Sequence, residues 1–538
     1  MNKFFLLIAF LFSGICACAQ PLYDWHNVIG GTISGRYSSI RQTASGDSSQ
    51  VYVAGHIDGA VDLDPGPGVA RPSDTTHRTG YILVYDSDGN YMRALFFNPV
   101  AASSYSELSD LFIAGNGDIL VTGGFVGTVD FNPLVGTSLY TSPANGSGFV
   151  ARYTKYGQLL WIDVFGASSG NYVSVQCVSE SAGKITIGGG FYIYTGAIDL
   201  DPGPGVATYT ASDEHGGFIV RLSSAGLYTW SKGFIGDQVI AINTNASGNI
   251  ACAGQAVGQT DFDPGPGIAS YTSVVQDPFG DFFVAGYSTN GIYTWHHASG
   301  NVLNESFGHD VHIASNNETV VAGACGGLID LDPGVGVTFA NSSGSFCAKY
   351  SAVGALIWGH DGGNAFRLDA SGNVYVADPY GTHCLSPAGV AFWSTPVVDS
   401  LYTTTLALSA NGKLRIGWNL NKNEDVDPGA GSTMVNYIPL GARSVVLSLD
   451  VPAVSVEEEN TTSSIAVYPN PSVDYIVVTG NNPATKSFVI RNALGAEVLR
   501  ANSTGTETRI DVSSLAPGIY FLQCESDNSV QQFVISRN

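Results

Sequence analysis

A five-residue pattern of apolar, any, apolar, small and Gly returns seven times along the 538-residue chain, and a recurrence of that size narrows the fold more than any single residue does. The copies begin at Val51 (VYVAG), Ile119 (ILVTG), Ile185 (ITIGG), Ile250 (IACAG), Thr319 (TVVAG), Val374 (VYVAD) and Leu414 (LRIGW). Successive starts lie 68, 66, 65, 69, 55 and 40 residues apart, which gives each repeat room for four short strands and shortens the loops of the last ones.

Other landmarks hold a fixed order around each copy, so the repeat can be phased. An apolar stretch ending in a polar turn precedes the motif (strand a), and the motif itself is strand b. A loop with DLDPGPG or a relative leads to strand c, such as FVARY at Phe149 to Tyr153, and a Gly turn leads to strand d. Trp161, Trp230, Trp295, Trp358 and Trp393 occupy one position of strand d, and Arg93 stands there in the first copy. Trp25 opens the chain as a strand d with nothing before it, while the last copy, ending at Ser444 to Asp450, has a, b and c but no d. The two deficits complete each other, as they must in a ring of sheets that closes on itself and leaves no long free edge. The expectation is an all-β, seven-bladed β-propeller over residues 20–451, with the strand of Trp25 paired to the strand of Val446. The fourth motif position is small in every copy (Ala54, Thr122, Gly188, Ala253, Ala322, Ala377, Gly417), as converging inner strands require. With 66 Gly, 23 Pro and only 12% charged residues, the composition suits short strands and tight turns.

The ends carry different signals. Residues 1–19 read as a secretory signal, with Lys3, an apolar core from Phe4 to Phe12 and a small-residue cleavage site at Ala17-Cys18-Ala19. That core is far shorter than the roughly 20 residues a membrane span needs, so no transmembrane segment is expected. A second reading places a lipid on Cys18. Residues 452–464 are polar and acidic and read as a linker, and residues 465–538 form a small β-rich unit expected to be an immunoglobulin-like β-sandwich. Its motifs Tyr468-Pro469-Asn470-Pro471, Leu494-Gly495 and Leu515-Ala516-Pro517-Gly518-Ile519-Tyr520 resemble the C-terminal sorting domain of the type IX secretion system. That resemblance implies an encounter with the secretion machinery and a final place in the medium or on the outer surface of a Gram-negative bacterium. The strand Gly372 to Val376, the Pro-rich loop Asp199 to Gly205, the strand Gly217 to Leu222 and the segment Trp25 to Gly31 resemble the parts of the SBBP-type β-propeller repeat, a resemblance that covers about residues 22–450, supports the fold and says little about function. A net charge of −23 disfavours nucleic acid and anionic membrane surfaces as partners.

The most repeated polar feature is a pair of acids two residues apart: Asp62 and Asp64, Asp199 and Asp201, Asp261 and Asp263, Asp330 and Asp332, Asp425 and Asp427, with Asp130 and Asn132 as a variant. Two readings stand. Each pair can begin a Ca²⁺ site, which wants six to eight oxygens, or each can cap its own Pro-Gly turn. Recurrence in nearly every blade favours the turn. The repeated Trp residues suit packing between blades, but Trp418 replaces the motif glycine. The sixth blade has only Pro379 to Thr382 between strands b and c, and the missing loop would leave a notch beside Trp418 lined by Asp378, Tyr380 and His383, a candidate ligand site. Cys325 ends strand b and Cys347 begins strand c of one blade, a candidate disulfide. No nucleophile elbow, metalloprotease helix or phosphate-binding loop occurs, which leaves the chain without a catalytic motif. The leading expectation is an exported, non-enzymatic binding or adhesion module for a glycan or protein. A secreted polysaccharide-processing enzyme and a structural surface-layer component are the alternatives.

Overall fold

The computed structural model describes residues 21–30, 38–45, 50–451 and 465–536, apart from 74–75, 143–145, 167–170, 194–195, 211–214, 236–237, 275–279, 303, 335, 341–343, 379–380, 396–404, 410, 421, 428–431, 437–442, 471, 481–485, 493–496, 504, 506 and 525–529. The expected secretory signal and linker lie outside the described residues. The chain divides into two compact units, Met1–Pro452 and Ala453–Asn538.

In the first unit, seven antiparallel sheets each run a, b, c, d in order. The second blade is typical, with Tyr105–Ile113, Ile119–Val126, Ser147–Tyr153 and Leu159–Phe165. The seventh takes Thr405–Leu408, Lys413–Leu420 and Arg443–Asp450 from the end of the propeller and Leu22–Ile29 from its beginning. Asn27 lies opposite Val446 and Trp25 opposite Ser448, so the opening strand closes the last sheet. Lys413 fastens the junction, its Nζ 2.8 Å from Asp24 and 2.7 Å from Asp450. Each strand a touches strand a of the next blade, and the seventh touches the first, which completes a ring.

The motif glycine has a local cause. In the first five blades strand a carries a β-bulge opposite it, between Ile40 and Gln42, Leu108 and Asp110, Val175 and Cys177, Val239 and Ala241, and Gly308 and Asp310. The bulge pushes a carbonyl against strand b, so that a Cβ at Gly123 would stand 2.1 Å from the Glu107 oxygen and one at Gly254 1.9 Å from that of Gln238. In the sixth blade strand a is reduced to four residues, Ala365–Leu368, with no bulge in its pairing, and in the seventh the described strand a, Thr405–Leu408, begins opposite Gly417. The demand for glycine lapses in the sixth blade, where Asp378 takes its place, and in the seventh the position is held by Trp418. The small fourth position answers to the neighbouring blade, since a Cβ on Gly188 would meet Val239 of the next strand a at 2.5 Å.

The strand-d tryptophans join blade to blade on the face that carries the a–b and c–d turns. Trp25, Trp161, Trp230, Trp295 and Trp358 each lie against the c–d turn glycine of the following blade, Gly89, Gly226, Gly291, Gly354 and Gly389. All five glycines have φ between 71° and 83°, so both the backbone and the indole exclude a side chain there. The Trp25 indole N–H donates to Ser87 O at 2.9 Å and that of Trp358 to Pro387 O at 3.1 Å. Arg93 serves the same role by donating to Lys155 O.

The second unit is a β-sandwich. Ile465–Tyr468, Tyr475–Gly480 and Glu507–Asp511 form one sheet, and Glu497–Ser503, Lys486–Asn492, Gly518–Cys524 and Val530–Ile535 form the other. Ile476, Val478 and Ile510 from the first pack with Phe488, Ile490, Leu522 and Phe533 from the second. Asn470 accepts the Val534 N–H at 2.8 Å, and the Tyr520 hydroxyl donates to Ala516 O at 2.8 Å. Tyr468, Pro469 and Gly518 stand in the same unit, while Pro471 falls outside the described residues.

Candidate functional site on the loop face

The opposite face of the ring carries the b–c connections, where the paired acids sit. Each pair works as a double turn cap. Asp62 Oδ1 accepts the N–H of Asp64 at 3.2 Å and of Ala70 at 2.8 Å, and Asp64 Oδ1 accepts that of Gly66 at 2.7 Å. Asp199 with Asp201, Asp261 with Asp263 and Asp330 with Asp332 repeat the three bonds at 2.7 to 3.0 Å. In the last blade Asp425 accepts from Asp427 and Thr433, and the Thr433 N–H first of all holds its carboxyl below the usual range. The apolar residue between the acids (Leu63, Phe131, Leu200, Phe262, Leu331, Val426) is buried in every case. The second glycine of the loop is required because the second Asp folds over it, with Asp64 Oδ2 2.1 Å from a Cβ placed on Gly68. One Oδ1 of every pair is thus committed to backbone donors, and among the described residues no group of three or more metal-ligating side chains comes together.

The notch is not built as the sequence suggested. Trp418 is fully buried and its indole donates to Glu424 Oε2 at 2.6 Å, so it offers no face to a ligand. The side chain of Asp378 and all of Tyr380 lie outside the described residues, and His383 is half-buried with its ring 6.3 Å from that of His360. The disulfide is also absent. Cys325 and Cys347 are free thiols, because Cys347 pairs with Ala322, three residues from Cys325, which sets the two roughly 10 Å apart on opposite sides of the sheet. They accordingly belong to different cores.

Two polar places stand out instead. The first is an open depression of about 440 Å³ at the seam of the first and second blades, lined by Asp58, Thr76, His77, Arg78, Ser103, Ser104 and Tyr105. Arg78 is held between two acids, Nε 3.4 Å from Asp58 Oδ1 and Nη1 3.0 Å from Glu107 Oε2. Burial works against its charge, but Asp58 and Glu107 outweigh that and raise the guanidinium above its ordinary value. Ser104 braces the rim by accepting the Thr128 N–H at 3.0 Å, and Ser103 beside it adopts a left-handed φ of 63°. The second place is the axial channel. Asp110 and Asp310 follow the bulges of blades two and five, and each accepts a backbone N–H of the next blade, from Val178 at 2.9 Å and Phe366 at 3.2 Å. Arg367 pairs with Asp310 at 2.6 Å. Confinement pushes the Asp110 carboxyl up to about 7, against the pull of its backbone donors and Arg367, and pushes the His309 imidazole down to about 4. None of these residues had been singled out as a site from the sequence. The signal available was a charged residue inside otherwise apolar inner strands, as in LSDLFI and AFRL.

No curated protein matches the sequence. Among solved structures, the type IX secretion surface component PorZ of Porphyromonas gingivalis aligns over 95% of this chain and 100% of its own at 11% identity and a TM-score of 0.22. The Neurospora crassa Pan2 WD40 domain aligns over 76% and 89% at 7% identity and 0.39, and a Dyadobacter fermentans protein of unknown function over 64% and 95% at 11% and 0.33. The propeller assignment rests on the strand pairing above and not on these likenesses. Residues 466–536 match the family described as the secretion system C-terminal sorting domain. The chain is therefore an all-β propeller protein whose C-terminal unit is a sorting domain of that family, an address for secretion or the cell surface.

Proposed function

We propose that the exported propeller is a non-enzymatic binding or adhesion module and that it meets its ligand on the loop face. The observation that carries this reading is the Arg78 cluster. One guanidinium already engages both Asp58 and Glu107, beside a half-buried tyrosine and a strained serine, in an open depression. Such an arrangement holds polar groups still for recognition and leaves neither carboxylate disengaged for proton transfer. The test is surface plasmon resonance of the full chain over immobilised polysaccharides and extracellular proteins, run alongside product analysis of the same polysaccharides. Saturable binding without turnover is expected, and turnover would overturn the reading. The enzymatic alternative would have to work in the channel, where burial raises the Asp110 carboxyl to about 7, but both oxygens of that carboxyl already accept backbone N–H groups, from Leu111 and Val178.

A further inference from the structure

Tyr105 and Tyr172 are the first residues of strand a in the second and third blades, so the ring sets them at equivalent places on the loop face. Both are half-buried, and neither hydroxyl has a hydrogen-bond partner among the described residues. Glu107 lies between them. It pairs with Arg78 on the side of the first blade, while on the other its Oε1 and the Tyr172 hydroxyl converge over Gly124, 4.0 and 3.9 Å from a Cβ placed there. Burial, then Glu107, raises both phenols. The row continues across the third sheet. Tyr192 is the register partner of Tyr172 and His215 that of Tyr192, and the Tyr192 and His215 rings meet edge to face at 4.1 Å. Blade four places Gln238 and Gln255 at the first two of these positions, and blade five Ser306 and Cys325, so the row is not a product of the repeat.

We infer that this strip, from Arg78 through Tyr105, Glu107 and Tyr172 to Tyr192 and His215, is a subsite groove for a neutral polysaccharide chain; the inference rests on the binding reading above and names its ligand. Aromatic faces in series match the apolar C–H faces of successive sugar rings, and the planar carboxylate and guanidinium groups between them can each meet two neighbouring hydroxyls. An anionic chain is disfavoured, because Arg78 is already answered by two carboxylates and the protein carries a net charge of −23. A peptide would want an apolar pocket, whereas the depression is lined by hydroxyl, imidazole and charged groups around a single aromatic ring.

The experiment is affinity electrophoresis of the full chain in native gels containing a β-glucan, a mannan, a xylan or a galactan, with alginate as the anionic comparison. Retardation by at least one neutral polymer and not by alginate is expected. Tyr105→Ala and Tyr172→Ala should each weaken it about tenfold, and Tyr105→Phe should keep most of it, with unchanged melting temperatures showing that the fold survives. Equal retardation of the Tyr105→Ala/Tyr172→Ala double variant would overturn the groove while leaving the binding reading intact. Retardation by alginate that Arg78→Ala abolishes would overturn the neutral class. Failure of all four neutral polymers would overturn a glycan ligand, and the binding reading would then stand or fall on the protein arm of the resonance test.

Discussion

The two faces of the ring are built from the same seven repeats and have diverged in opposite ways. On the turn face, every described c–d connection is a tight turn closed by a backbone bond, such as Gly89 N to Asp86 O at 3.2 Å or Gly291 N to Ser288 O at 2.9 Å, and five of the turn glycines lie under the indole of the blade before. On the loop face, the acid pairs recur but what stands beside them does not: among the described residues the Arg78 depression, the tyrosine row and the short connection of the sixth blade each occur once. Repetition marks what the ring needs to close and pack. On the proposed binding reading, departure from it marks where a ligand would be told apart.

The largest effect expected from this contrast is on the turn face. Trp25→Ala removes the packing over Gly89 and strands the Ser87 carbonyl at the junction where the first and last strands of the ring meet, and should cost about 2–3 kcal/mol, below the roughly 3–5 kcal/mol of a fully buried large aromatic because Trp25 is only half-buried. Thermal unfolding measures it. A loss no greater than that of an exposed residue would break the distinction between the faces.

Next comes one of the loop caps. Asp261→Ala leaves the N–H groups of Asp263 and Ala269 without acceptors and should cost about 1–2 kcal/mol, less than Trp25→Ala because both donors can turn to water. Millimolar Ca²⁺ should leave the melting temperature of the unaltered protein where it was. A rise of several degrees with calcium would show that these acids serve a metal and not the turn.

How much of this could be read in advance follows the same division. Ring closure, the strand-d tryptophans and the Asp-Pro-Gly loops were legible because each recurs at a fixed phase, so one copy explains the others. The notch expected at Trp418 failed because the sequence shows that the motif glycine is replaced there but not why a glycine is needed at that position. That need, set by the bulge of the facing strand, is visible only in the register, where the five described bulges stand opposite the five motif glycines. Cys325 and Cys347 failed for a similar reason: being near in sequence order across a hairpin does not say which residues face each other. Asp110 and Tyr172 acquire meaning only from neighbours in other blades, which no local pattern reports.

Inside the ring the contrast can be sharpened with pH. Confinement keeps the Asp110 carboxyl protonated up to about 7, whereas in the unfolded chain it ionises near 3.8. Between those values the folded state binds more protons than the unfolded one, so this residue's contribution to stability falls as pH rises through the window and then levels off. Asp110→Asn keeps an oxygen for the Leu111 or Val178 N–H and removes the titration. It should therefore melt a few degrees above the parent at pH 8 and with no advantage at pH 4. The axial His309, held down to about 4, acts in the opposite sense below pH 6.5, so the comparison must be made between parent and variant at each pH.

The smallest effect tests the loop face directly. Val69, Val206, Ile268 and Val337 follow the second loop glycine in four blades and are 71%, 76%, 83% and 60% exposed. An aliphatic side chain in that setting contributes almost nothing to the folded state, since burial is what stabilises it and little is buried. Ile268→Ser should accordingly change stability by less than about 0.5 kcal/mol, within the range of ordinary surface substitutions. A larger loss in dilute solution would mean that the loop tip packs on its own ring, and the faces would then differ less than their sequences suggest. A loss that appears only as protein concentration rises would instead show that these tips meet another copy of the chain, a use of the loop face separate from the one proposed for the tyrosine row.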